Sequence, residues 1–163
     1  MKKSILLLFA ALATLVVGCQ KEEFGGGQEQ QEGQDQEQEV LKVEIDGIWY
    51  NLVSKTKQAE VTFKGDYYYS YSNEYSSPIT IPAIVTYNGV KYSVTSIGES
   101  AFSGCTKLLD VYCYAETVPG TGANTFNGSN PEYATLHVPA SALNTYKSTA
   151  PWSNFGKIVP LTD

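Results

Sequence analysis

Residues 43–53, VEIDGIWYNLV, alternate apolar and polar positions on both sides of Asp46-Gly47. Residues 85–94, VTYNGVKYSV, do the same around Asn88-Gly89. Alternation is the period of a strand, and both dipeptides accept the positive φ of a two-residue hairpin turn. Two antiparallel hairpins are therefore predicted. Between them AEVTFKG, residues 59–65, alternates as a third strand, and ITIPA, residues 79–83, reads as a short strand ended by Pro82. Two more aliphatic runs follow, Leu108, Leu109 and Val111, then Leu136 and Val138. Pro139 and Ser141 suit a helix start, so a short helix is predicted near residues 140–147, with Leu143 and Tyr146 on one face and a closing strand behind it. The fold class is mainly β.

The pattern before residue 40 is different. Two lysines, Lys2 and Lys3, precede 13 apolar-type positions from Ile5 to Val17, then Gly18-Cys19. A bilayer-spanning helix needs about 20 residues, so a cleaved export signal over residues 1–18 is predicted. Val16-Val17-Gly18-Cys19 resembles the bacterial lipobox, in which the cysteine thiol takes a diacylglyceryl group as a thioether. The resemblance implies a lipid on Cys19, each buried CH2 contributing about 0.8 kcal/mol to anchoring. Residues 19–39 are almost wholly Gln, Glu and Gly. They lack the apolar surface to offset ordering entropy and read as a disordered tether with a span of roughly 25 Å. CQKEE at its start is similar to the lipoprotein export signal of the Bacteroides group, which implies display on the outer face of the outer membrane.

The remaining residues 40–163 suit a single domain. An internal repeat runs through it. Gly98, Phe102 and Gly104 recur 24 positions later as Gly122, Phe126 and Gly128. A period in the low twenties with one strand per unit suggests a solenoid whose units bury their strand and phenylalanine against the next copy. Val94, Thr95, Ile97, Gly98, Ala101, Phe102, Gly104, Cys105 and Leu108 resemble the unit of the BspA-like leucine-rich repeat. Residues 134–161, with Tyr146, Lys147, Trp152, Phe155 and Ile158, are similar to the usual C-terminal closure of that family. The resemblance implies N-terminal hairpins followed by a minimal leucine-rich-repeat solenoid. Its structural core would be Ile97, Gly98, Phe102, Gly104, Cys105, Leu108, Phe126, Leu136 and Val138. The second copy departs from the pattern at Thr121 and Ser129.

Charge narrows the chemistry. Eight lysines against ten carboxylates in residues 40–163 argue against a nucleic-acid partner, and the chain contains no arginine for bidentate phosphate or carboxylate recognition. One histidine and two cysteines at positions 105 and 113 do not make a zinc site, and no phosphate-binding glycine loop follows a strand. No cofactor or metal is expected. An exported domain could bridge Cys105 to Cys113. Cys105 sits on a recurrent repeat position and Cys113 alternates with Val111, which favours buried thiols.

One stretch imitates an active site. Gly98-Glu99-Ser100-Ala101-Phe102 differs by one residue from the G-x-S-x-G elbow of α/β-hydrolases, and the order Ser100, Asp110 or Glu116, His137 is the order that fold uses. Three facts oppose a serine esterase. Phe102 is too large for the tight elbow. The strands and turns do not supply a parallel sheet wound with helices. The echo 24 residues on keeps the phenylalanine but places Asn124 at the serine position, so Ser100 reads as a tolerated surface residue. His137, between Leu136 and Val138, is directed to the opposite face as an exposed, unremarkable imidazole.

The densest candidate for ligand contact is DYYYSYSNEYSS, where Tyr67, Tyr68, Tyr69, Tyr71 and Tyr75 offer stacking surfaces for a sugar or a protein. The expected function is that of a lipid-anchored surface protein: a non-enzymatic, adhesion-type module binding host or bacterial surface proteins or glycans. The alternative is a structural or accessory subunit of an outer-membrane surface complex.

Overall fold

The computed structural model describes residues 39–65 and 75–162. The export signal, Cys19, the tether and Tyr67, Tyr68, Tyr69 and Tyr71 lie outside the described residues. Residues 36–163 form a compact unit by themselves. One continuous hydrophobic cluster fills it.

The protein is mainly β, with ten strands and one short α-helix among the described residues. β1 (Val40–Ile45) and β2 (Ile48–Val53) form the first hairpin, with Ile45 opposite Ile48. Asp46 and Gly47 turn it with φ of 51° and 81°. β5 (Ile84–Tyr87) and β6 (Val90–Ile97) form the second, turned by Asn88 and Gly89 at 48° and 77°. Both turns have the paired positive φ values that match the twist of a hairpin.

β3 (Gln58–Thr62) continues the first hairpin antiparallel to β2, but it pairs with β6 in parallel. An antiparallel first half was the sequence expectation, and the difference has a topological cause. Between β3 and β6 the chain supplies β4 (Ile79–Ile81) to a second sheet and then β5 to the first, so that β6 runs the same way as β3. That second sheet has the order β10-β9-β7-β4 and is parallel throughout. Its other members are β7 (Asp110–Cys113), β9 (Thr135–Val138) and β10 (Lys157–Pro160). In the first sheet the parallel run continues from β6 to β8 (Gly120–Thr121).

The chain therefore makes circuits, visiting one parallel ladder and then the other. Ile97 pairs with Thr121 and Val111 with Leu136, offsets of 24 and 25 residues. Between the ladders the turn after β6 lies on the turn after β8. The N–H groups of Ser100, Phe102 and Gly104 donate to the carbonyls of Ala123, Thr125 and Asn127 at 3.0, 2.9 and 2.8 Å. Phe102 and Phe126 stack, with centroids 5.6 Å apart and planes within 10°. The two turns share their backbone conformation as well: φ is 55° at both Ser100 and Asn124, and 71° and 70° at Gly104 and Gly128. The approach is close enough that a Cβ on Gly122 would overlap the Glu99 backbone.

Ser100 is thus not a surface residue. It is 7% exposed and holds a left-handed conformation that asparagine tolerates better than serine does. Ile97, Phe102, Cys105, Leu108, Leu136 and Val138 are all buried, as are Gly98 and Phe126, while Gly104 is half-buried. Cys105 and Cys113 are buried and no disulfide joins them.

The C-terminal segment closes the stack. A 3-10 turn at Ala140–Ala142 leads into α1 (Leu143–Ser148), which buries Tyr146. The Tyr146 hydroxyl donates to Ala115 O at 2.9 Å and lies 3.2 Å from the Cys113 thiol. Trp152 and Phe155 then pack nearly edge-on against Phe126, at 5.6 and 5.2 Å. Trp152 Nε1 donates to Pro119 O at 3.0 Å.

Removing a ring from the stack leaves a cavity that both neighbours line. Phe102→Ala should lower stability by about 3–5 kcal/mol in urea unfolding. Ser100→Asn should match or exceed the parent, while Ser100→Val should fall below it, because a β-branched side chain is strained at positive φ. Burial raises the phenols of Tyr50, Tyr75 and Tyr146 above their ordinary value near 10, and raises the Cys113 thiol. A raised folded value favours the protonated form, so these groups stabilise the fold below about pH 10. Stability should fall steeply as pH rises above that value, read as the unfolding midpoint across an alkaline series.

Candidate functional site

The second sheet has two unlike faces because each strand alternates. Ile79, Ile81, Val111, Cys113, Leu136 and Val138 point inward and are buried. The register then places Thr80, Tyr112, His137 and Val159 in one row across the four strands of the other face. Asp110, Thr135 and Lys157 form the row beside it. Tyr114 follows Tyr112 on the same side and is 46% exposed. Across four strands spaced about 4.8 Å apart, such a row is about 14 Å wide.

Three side chains on this face support one another. The His137 imidazole stacks on Tyr112, with centroids 4.2 Å apart and planes within 10°. Its Nε2 lies 3.1 Å from Asp110 Oδ1. The His137 side chain is 19% exposed and that of Asp110 is 44% exposed. Asp110 is itself held at the backbone: its N–H donates to Ser77 Oγ at 2.7 Å, and the Ser77 hydroxyl lies 3.2 Å from its carbonyl. The result is a fixed aromatic surface with a carboxylate and an imidazole at its edge. His137 does face away from Leu136 and Val138, but it is not the exposed, unremarkable imidazole expected from the sequence: its side chain is 19% exposed and it touches both Tyr112 and Asp110. The register brings it directly opposite Tyr112.

The structure pairs Asp110 with His137, two members of the order that the hydrolase comparison required, and separates them from the third. No hydrogen bond links Ser100 to His137, and the Ser100 N–H is engaged by Ala123 in the stacked turns. No group of three His, Cys, Asp or Glu side chains among the described residues could hold a metal ion.

Tyr75 corrects the tyrosine expectation at the one position described. It is 4% exposed and packs on Phe102 at 5.4 Å. Its hydroxyl donates to Thr62 O at 2.8 Å and accepts from the Trp49 N–H at 2.9 Å. The ring closes the phenylalanine stack and fastens β2 to β3, so it is a packing residue rather than an exposed stacking surface. Tyr112, Tyr114 and Thr80 were not singled out from the sequence, and Asp110 drew notice only through the hydrolase order. The signal was present in DVYCY, because the alternation that turns Cys113 inward turns Tyr112 and Tyr114 outward.

No family model, no curated protein and no solved structure matches this chain. Its geometry is the basis for a functional reading.

Tyr75→Phe keeps the ring and removes the hydroxyl, leaving a buried carbonyl and a buried N–H without their partner. It should cost about 1–3 kcal/mol in urea unfolding. A stability equal to the parent's would contradict the structural role.

Proposed function

We propose that this chain is an exported lipoprotein and that its domain is a minimal BspA-type leucine-rich-repeat solenoid. In this reading it acts as a non-enzymatic, adhesion-type binding module on the cell surface, contacting a protein or a glycan through the Tyr112–His137 face. The observation that carries the binding reading is that face itself. Parallel sheets usually have both faces covered. This one buries aliphatic residues on one side and leaves the half-exposed Tyr112 and the exposed Tyr114 on the other. Flat aromatic surface with hydrogen-bonding groups at its edge suits sugar rings and protein side chains alike.

The repeat reading draws support from the 24- and 25-residue offsets and from the phenylalanine stack. The anchor reading rests on Val16-Val17-Gly18-Cys19 and on the Gln/Glu/Gly tether. The residue that would carry the lipid is Cys19.

Residues 36–163 displayed against host matrix proteins and a glycan array should give a saturable ligand. Tyr114→Ala should weaken that ligand at least tenfold without moving the unfolding midpoint, and Tyr112→Ala should weaken it further. Undiminished affinity in both variants would remove the face from consideration, and a blank screen would favour the accessory-subunit role. In cells, labelled-lipid incorporation should vanish in Cys19→Ala, and protease treatment of intact cells should release the domain. Lipid retained by the variant would refute the anchor.

A further inference from the structure

The stacked turns contain both a filled and an unfilled version of the same backbone site. In the first turn, the alternate N–H groups of Ser100, Phe102 and Gly104 each meet a carbonyl of the turn stacked above. The second turn repeats that conformation, with matching φ at its asparagine and its glycine. Its equivalent N–H groups are those of Asn124, Phe126 and Gly128. Among the described residues no carbonyl meets any of the three. The C-terminal closure covers the Phe126 ring with Trp152 and Phe155 but does not supply carbonyls to these amides.

These residues instead line an open groove of about 800 Å3, walled on the other side by Pro151 and Asn154. The wall is fastened in place: the Gly156 N–H donates to Pro131 O at 3.1 Å, and Asn154 N–H to Pro151 O at 3.0 Å. Among the described residues of the lining Glu132 carries the only charge, the others being neutral.

We propose that this groove binds a peptide segment of a partner protein, which lays alternate backbone carbonyls onto the N–H groups of Asn124, Phe126 and Gly128. The acceptors one turn earlier, Ala123, Thr125 and Asn127, alternate along a turn with a left-handed residue at Asn124, so the segment called for is a turn-forming one with asparagine or glycine at that place. The bound arrangement is the one the protein already makes between residues 100–104 and 123–127. One carboxylate and no lysine on the lining favour a neutral or basic segment over an acidic one. This site is separate from the Tyr112–His137 face and does not depend on it.

The test is amide hydrogen exchange on residues 36–163 by NMR, with a synthetic peptide of the sequence TGANTFNGSN, residues 121–130, as the probe. That peptide is the segment that fills the equivalent site one turn earlier. In the free protein, the amides of Asn124, Phe126 and Gly128 should exchange at least tenfold faster than those of Ser100, Phe102 and Gly104. Saturating peptide should slow the first three at least tenfold and leave the second three unchanged. Equal protection of both sets in the free protein would overturn the proposal, as would a peptide in large excess that slows none of them. Asn154→Trp and Asn127→Trp each fill the groove from an exposed position, and each should weaken the peptide at least tenfold. Protection of Ser100, Phe102 and Gly104 reports that the variant is folded. Peptide binding undiminished in a folded variant would place the site elsewhere. Slowing of the same three amides with rising protein concentration alone would identify a second copy as the occupant and would also overturn the proposal.

Discussion

The contact on which the rest of the structure depends is the stacking of Phe102 on Phe126. Neither ring could be buried by its own circuit, because a circuit of about two dozen residues has little interior of its own. Each phenylalanine becomes core only when the next circuit supplies the opposing ring. The column has four layers: Tyr75, Phe102, Phe126, and the pair Trp152 and Phe155. Backbone hydrogen bonds from Ser100, Phe102 and Gly104 hold the register of the middle layers, so ring packing and backbone satisfaction are achieved in one step. The parallel ladders on either side follow from the same offset.

A stack of circuits has ends, and much of the remaining sequence deals with them. At one end the antiparallel strands β1 and β2 extend the sheet outward from β3, and Tyr75 covers the first phenylalanine. At the other, α1 and the segment through Phe155 cover the second. The closures are tied to the preceding circuit by buried polar contacts, Tyr146 to Ala115 and Trp152 to Pro119. These bonds let large amphipathic side chains be buried without losing hydrogen bonds. What the closures cover is apolar surface. Backbone donors at the last turn, and the outward face of the parallel sheet, are not covered by these closures.

The near-match to a hydrolase elbow shows how local sequence misleads without register. Ser100 sits where it does because its position in the turn requires a left-handed backbone, which its counterpart Asn124 also adopts. Phe102, the residue that breaks the catalytic signature, is the one the packing requires. The tyrosine-rich stretch gave a related lesson. A run of aromatic residues in sequence drew notice, yet Tyr75 is a buried closing ring. The two outward tyrosines, Tyr112 on β7 and Tyr114 just after it, are separated by a cysteine and stood out less.

Local periodicity was enough to determine the two hairpins, since Asp46-Gly47 and Asn88-Gly89 select their turn without help from distant residues. The 24-residue echo likewise determined that Phe102 would have Phe126 as its counterpart, because a repeat can be read along a single chain. The short helix around Tyr146 was legible from its start residues and its apolar spacing. Strand direction and neighbour were not. That β3 runs parallel to β6, that Asp110 meets His137, and that His137 lies on Tyr112 depend on which strand the chain reaches after crossing to the second sheet. Alternation states which face a side chain occupies; only the tertiary pairing decides what stands next to it, because register is set by the summed packing of all circuits rather than by any one strand.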